Sequence, residues 1–197
     1  TYRKYRGLEY PEGLKSDDYL RLAAEAAEEI IDKAPYSFAA DYGELFREPD
    51  ADKNEFILAI RMDQAISCVH NSTAYACMAT QGNPGFSKKF IDSFLMSDGS
   101  RFTDKEGWET MQFADEVKDR DPRLAAIIRM PDQVRTTDKY SIVGPDLSVT
   151  SSGFQMDKYV MDGSKYPTTE RVDMSFNDIP VYRFAEAHLI YAEAKAE

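Results

Sequence analysis

Few residues in this sequence could do chemistry, and their spacing fits no catalytic motif. Among 197 residues there are two histidines, two cysteines and one tryptophan. Cys68, His70 and Cys77 could supply three zinc ligands, but no fourth is spaced to join them and no C-x-x-C pair occurs. His188 lies within a helical pattern and is expected to be a packed histidine with one hydrogen-bonded nitrogen. Asp50, Asp52 and Asn54 alternate like the start of a calcium loop. Glu55 replaces the sharp-turn glycine there, and Arg61 stands where the bidentate glutamate belongs, so a polar turn is expected. With 35 acidic residues, some pair of carboxylates lies close in any fold, so spacing cannot argue a glycosidase pair. No G-x-S-x-G, H-E-x-x-H, G-x-G-x-x-G or Walker A pattern is present. Enzyme is the weaker class on these residues, and no metal or cofactor is expected.

Composition narrows the partners. A net charge of −11 argues against nucleic acid, whose phosphates need Lys and Arg gathered on one surface. The chain is 43% apolar and 12% aromatic, enough for a core in one domain or in part of a larger one. No apolar run approaches the roughly 20 residues of a membrane-spanning helix.

The elements that must position any site are clearest at the two ends. Leu14–Ala34 reads as a helix, with Ser16 as N-cap, Asp17 and Asp18 at the positive dipole end, and Pro35 as its stop. Leu20, Ala23, Ala24, Ala27, Ile30 and Ile31 share one face. Residues 183–197 form a second alanine-rich helix, in which Arg183 is within i,i+3 reach of Glu186. Phe184, Leu189, Ile190 and Tyr191 are its larger apolar residues, and small alanines would let a neighbouring helix approach closely. Between these ends, Tyr36–Phe46 reads as a short helix or turn and Glu55–Met62 as a strand. Ser87–Leu95 reads as a short helix with Phe90, Ile91 and Phe94 inward, closed by a Ser97-Asp98-Gly99 turn. Another short helix runs from after Trp108 to Lys118. Leu124–Met130 is a buried strand or a helix end, and Tyr140–Val143 and Phe154–Val160 read as short strands. Gln64–Gly85 is the least regular stretch, too long for a simple connection.

The order of residues in Pro180–Ala194 (PVYRFAEAHLIYAEA) closely resembles the arginine-led helix of the SusD/RagB family of outer-membrane nutrient-binding lipoproteins. Thr1–Tyr5, Tyr19–Tyr36, Phe90–Gly99 (FIDSFLMSDG) and Asp119–Leu124 (DRDPRL) resemble further family stretches in the same order. The resemblance implies a mostly α fold: a tetratricopeptide-like scaffold over about 1–62 and 176–197, and an irregular, ligand-facing lobe with short strands over about 63–175. Because family members are more than twice as long, it also implies an internal piece of one SusD-like domain, with the lipid anchor upstream. The function implied is non-catalytic capture of oligosaccharides at the extracellular face of the outer membrane. They would then be handed to a SusC-like TonB-dependent transporter. A RagB-like peptide binder and, in a different class, a glycan-cleaving enzyme are the alternatives, with an intracellular helical-repeat adaptor last.

No sugar-contacting residue carries over by motif, so candidates come from local reading. A pyranose offers an apolar C–H face to an aromatic ring and hydroxyls to polar partners. Trp108, in the polar setting of Glu106, Gly107 and Glu109, and Tyr75, in the irregular stretch, are the stacking candidates; His70, Asn71 and Asn83 are the polar ones. Trp108 could equally be a core anchor, Tyr75 a tyrosine covering core, and the asparagines turn residues. Surface export would place Cys68 and Cys77 in an oxidising compartment. Bridged, they would close a ten-residue loop, contributing about 2.7 kcal/mol before strain. Two free buried thiols are the alternative.

Overall fold

The computed structural model describes residues 2–8, 10, 13–136 and 141–197, with backbone alone at Thr136, Ser141 and Ile142. In chain order these form α1 (Tyr2–Arg6), α2 (Ser16–Lys33), β1 (Phe56–Ile60), α3 (Ser72–Cys77), α4 (Lys88–Asp92) and α5 (Phe113–Glu116). There follow α6 (Pro122–Ile127), β2 (Val134–Thr136), β3 (Ser141–Val143), β4 (Ile179–Arg183) and α7 (Phe184–Ala196). Helices dominate the regular structure, and strands form only two-stranded antiparallel pairs. The chain divides into two compact units. One comprises Thr1–Ala40, Ala51–Ile60 and Ile179–Glu197; the other comprises Asp41–Asp50 and Arg61–Asp178.

In the first unit α2 packs on α7. Ala24 and Ala27 of α2 and Phe184 and Ala187 of α7 are buried, and the Tyr191 hydroxyl donates to Glu28 at 3.0 Å. The buried contact is made largely of methyl groups, so the two axes can lie close. The larger apolar residues Leu189 and Ile190 are 69% and 41% exposed, Leu189 on the far side of α7 from the buried Ala187 and Ile190 on its flank. The cap of α2 also differs from expectation. Lys15 is the N-cap and Ser16 the first helical residue, while the Asp18 carboxylate accepts from the Lys15 N–H at 3.0 Å. The Ala34 N–H closes the other end on Ile30 O at 3.2 Å, just before Pro35.

β1 forms where expected, but its partner β4, Ile179–Arg183, takes up the start of the Pro180–Ala194 stretch that resembles a helix. Phe56 faces Arg183 and Ile60 faces Ile179 in the register. Arg183 is the last residue of β4. Its side chain crosses to Glu55 at 2.5 Å, because an extended N-cap points away from the helix surface. Asp50–Glu55 is a turn, in which Asp52 accepts from the Asn54 N–H at 2.9 Å. His188 packs between Phe38 and Phe184, with centroids 5.1 and 4.7 Å away. Its Nε2 is buried without a partner among the described residues, so the hydrogen bond expected of a packed histidine is not made there.

The second unit is held by a core of Ile91, Val117, Leu124, Ile127, Ile128 and Phe154, with Phe94 and Phe113 against it. Leu124–Ile127 is helical and Ile128 extended. Phe154–Val160 contributes isolated bridges at Gln155 and Met156, not a strand. The strand expected at Tyr140–Val143 appears as Ser141–Val143, paired with Val134–Thr136; Tyr140, like Thr1, lies outside the described residues. Among the described residues no helix is long and apolar enough to cross a membrane.

Candidate functional site

The stretch from Lys88 to Trp108 lines an open groove. Ser87 caps α4, accepting from the Phe90 N–H at 3.3 Å, and Ile91 plugs the core while Phe90 stays 43% exposed. Phe90 was expected inward; a five-residue helix gives its neighbour Ile91 the single buried position. The chain then turns over Ser97-Asp98-Gly99. Gly99 sits at φ +87°, Asp98 accepts from the Ser100 N–H at 2.9 Å, and Leu95 bridges Arg101.

Arg120 fixes this arrangement from beneath. It is buried, its guanidinium donates to the carbonyls of Ile91, Phe94 and Glu116 at 2.7 to 2.9 Å, and it lies 4.0 Å from the Phe102 ring centroid. One planar cation thus satisfies the open C-terminal carbonyls of α4 and joins them to α5. Its neighbour Asp121 caps α6 through the Arg123 N–H at 2.9 Å, with Pro122 at the first helical position. The DRDPRL motif is therefore a structural junction.

Trp108 rests edge-on against fully buried Phe102, with centroids 6.1 Å apart, and is itself half-buried. The indole also lines a groove of about 580 Å³. Lys88, Lys89, Asp92 and Ser93 from α4 and its end form one wall; Leu95, Arg101 and Thr103 complete it. Lys88 lies 5.0 Å from the Trp108 centroid and donates to Asp92 at 2.5 Å, with Glu116 at 2.8 Å. Burial works to lower the Lys88 pKa, but its hydrogen bonds to Asp92 and Glu116 prevail and raise it.

The other candidate residues do not join this groove. Tyr75 is 47% exposed on α3 and is not among the groove's lining residues. His70 is fully engaged in holding its own unit. Its ring stacks on Tyr159 with centroids 5.3 Å apart, Nε2 lies 2.9 Å from Asn177 O, and Nδ1 lies 3.0 Å from the Ser72 hydroxyl. The Asn71 amide donates to Asp173 at 2.7 Å and accepts from the Asp173 N–H at 2.5 Å, a closed clamp. Asn83 takes the left-handed conformation at φ +45° in a turn, its carbonyl accepting from the Ser151 N–H at 3.1 Å.

Cys68 and Cys77 are free thiols, and the expected bridge is not formed. The Cys68 sulfur lies 3.8 Å from the Arg61 carbonyl, while α3 carries Cys77 to the guanidinium of Arg135. Burial pushes the Cys77 thiol up to about 12 against the pull of Arg135.

A second cavity, of about 320 Å³, is polar and was not apparent from sequence. Asp157, 3% exposed, pairs with both Arg47 and Arg135, and Arg135 lies 3.7 Å from Glu170. Gln133 donates to the same Asp157 at 3.3 Å. Through Asp157 the cluster cross-links distant stretches of chain. No spacing pattern announces it, because the partners of Asp157 lie 110 and 22 residues away.

The chain matches the SusD family over residues 54–197, and it belongs to that family. Proteins of this family are generally non-catalytic, nutrient-binding components of Sus-like systems. No curated protein and no solved structure matches.

Proposed function

We propose that the groove beside Trp108 is a glycan-binding surface of an outer-membrane nutrient-binding protein. The observation that carries this reading is a partly exposed indole, braced by Phe102 and Lys88, lining an open groove with polar and charged walls. Such a wall offers a sugar both an aromatic plane and hydroxyl partners. In this reading α2 and α7 are a helix pair of a tetratricopeptide-like scaffold. The ligand is passed to a SusC-like TonB-dependent transporter at the extracellular face, where a lipid anchor holds the protein. Tyr75 is a separate, second contact for an extended chain.

Calorimetry with neutral and acidic oligosaccharides and with short peptides tests the reading. Trp108→Ala is expected to weaken glycan binding about fivefold or more, with Tyr75→Ala smaller in effect, because one stacked ring contributes on the order of 1 kcal/mol. Binding of peptides alone, or full glycan affinity in a folded Trp108→Ala protein, overturns it.

A further inference from the structure

The groove does not share the charge of the molecule around it. The chain carries −11 overall, yet the groove is lined by three cations, Lys88, Lys89 and Arg101, and one carboxylate, Asp92. That carboxylate is already taken. Lys88 holds it at 2.5 Å and also holds Glu116, whose side chain is buried. Among the described residues Lys89 and Arg101 make no ion pair; both are exposed, one on α4 and one at the end of the turn that faces it. Asp104, Glu106 and Glu109 are near in sequence but do not line the groove. Two uncompensated cations therefore stand beside one indole.

Resting on the glycan reading above, we infer that the groove takes carboxylated sugars, with hexuronate as the residue recognised at Trp108. A hexuronate keeps the apolar C–H face of a pyranose and carries its carboxylate at the ring edge. A sugar stacked on Trp108 directs that carboxylate sideways, toward walls bearing Lys89 and Arg101. The guanidinium can take it through two parallel N–H donors, and the ammonium adds a point charge. A neutral sugar leaves both cations without a partner. A bare anion leaves the indole uncovered.

Calorimetry of the protein with a panel of uronate trisaccharides, built on galacturonate, glucuronate, mannuronate or guluronate, tests this against their methyl esters. At least one acid is expected to bind about tenfold more tightly than its ester, and the preference is expected to fade as salt is raised. Arg101→Gln and Lys89→Gln, both at exposed positions, are expected to weaken the acid by a larger factor than the ester, the double variant binding the two alike. Equal affinity for acid and ester, or no uronate binding at all, overturns the inference. If neutral oligosaccharides still bind in that case, the glycan reading stands without it. Tetraglutamate binding as tightly as the best uronate also overturns it, since charge alone would then suffice. If no sugar of any kind binds, the glycan reading fails first.

Discussion

Arg183 Nη1 donates to Glu55 Oε1 at 2.5 Å, and the carboxylate it meets is only 3% exposed. The second oxygen, Oε2, accepts from the Ala39 N–H at 2.6 Å. The pair locks the end of β4 to the residue before β1, where α7 begins.

Removing the cation leaves a buried carboxylate short of its partner. Arg183→Met is expected to lower stability by about 3 kcal/mol, since a broken buried pair costs more than a replaced one. The double variant Glu55→Gln/Arg183→Met is expected to recover part of that loss. Urea unfolding of the four proteins in the cycle measures both quantities. An additive cycle would mean that the pair is not coupled.

His70 is expected to matter for stability and not for binding. His70→Phe keeps the stack on Tyr159 but gives up the contacts with Asn177 O and Ser72. A loss of about 1 kcal/mol is expected, since the Tyr159 hydroxyl still donates to Asn177 O at 2.9 Å and the Ser72 hydroxyl to Tyr159 O at 3.2 Å. Thermal unfolding and calorimetry with a bound glycan check the two halves; a weakened affinity in the folded variant would return His70 to the site.

Local signals were readable and distant ones were not. α2 was legible because a one-sided alanine stripe, two acidic residues at its start and Pro35 at its end all agree. The turn at Ser97-Asp98-Gly99 was legible for the same reason. β4 was not, because Ile179–Arg183 carries no alternation of its own and is a strand only through its pairing with β1. At the candidate site, residue type singled out Trp108 but could not reveal its bracing, since Lys88 and Phe102 reach it only once the turn after α4 is folded. The polar candidates are a different case. Asn71 and His70 have the chemistry of a ligand contact, and the fold uses that chemistry on Asp173 and Asn177 instead.

The two thiols should react unequally. A thiol held near 12 carries almost no thiolate at pH 8, so Cys77 is expected to resist iodoacetamide until the protein unfolds. Cys68, half-buried beside Arg61, is expected to label in the folded state. Peptide mapping after a timed pulse reads the order. Intact mass under reduction should show no two-dalton gain; such a gain would mean a bridge after all.

Acid should cost the α6 cap. The Arg123 guanidinium, and then the Arg123 N–H, hold the Asp121 carboxyl below the usual range. A depressed folded-state pKa stabilises above the unfolded value of about 3.9, and that contribution disappears as pH falls through the folded value. Asp121→Ala is therefore expected to cost about 1 kcal/mol at neutral pH. The gap between wild-type and variant melting temperatures is expected to narrow below about pH 4. A gap that is constant into strong acid, or that widens there, contradicts the assignment.

The pairing of Ile60 with Ile179 has a consequence for how such a chain can change over generations. The stretch 61–178 departs from one strand and returns on its antiparallel neighbour, so its two ends are held side by side by backbone hydrogen bonds. Lengthening or replacing what lies between adds closure entropy only logarithmically, and α2, α7 and the two strands keep their own contacts whatever the excursion contains. The groove at Trp108 lies wholly inside that excursion. Change in the residues that line the groove is thereby decoupled from the contacts of α2 with α7.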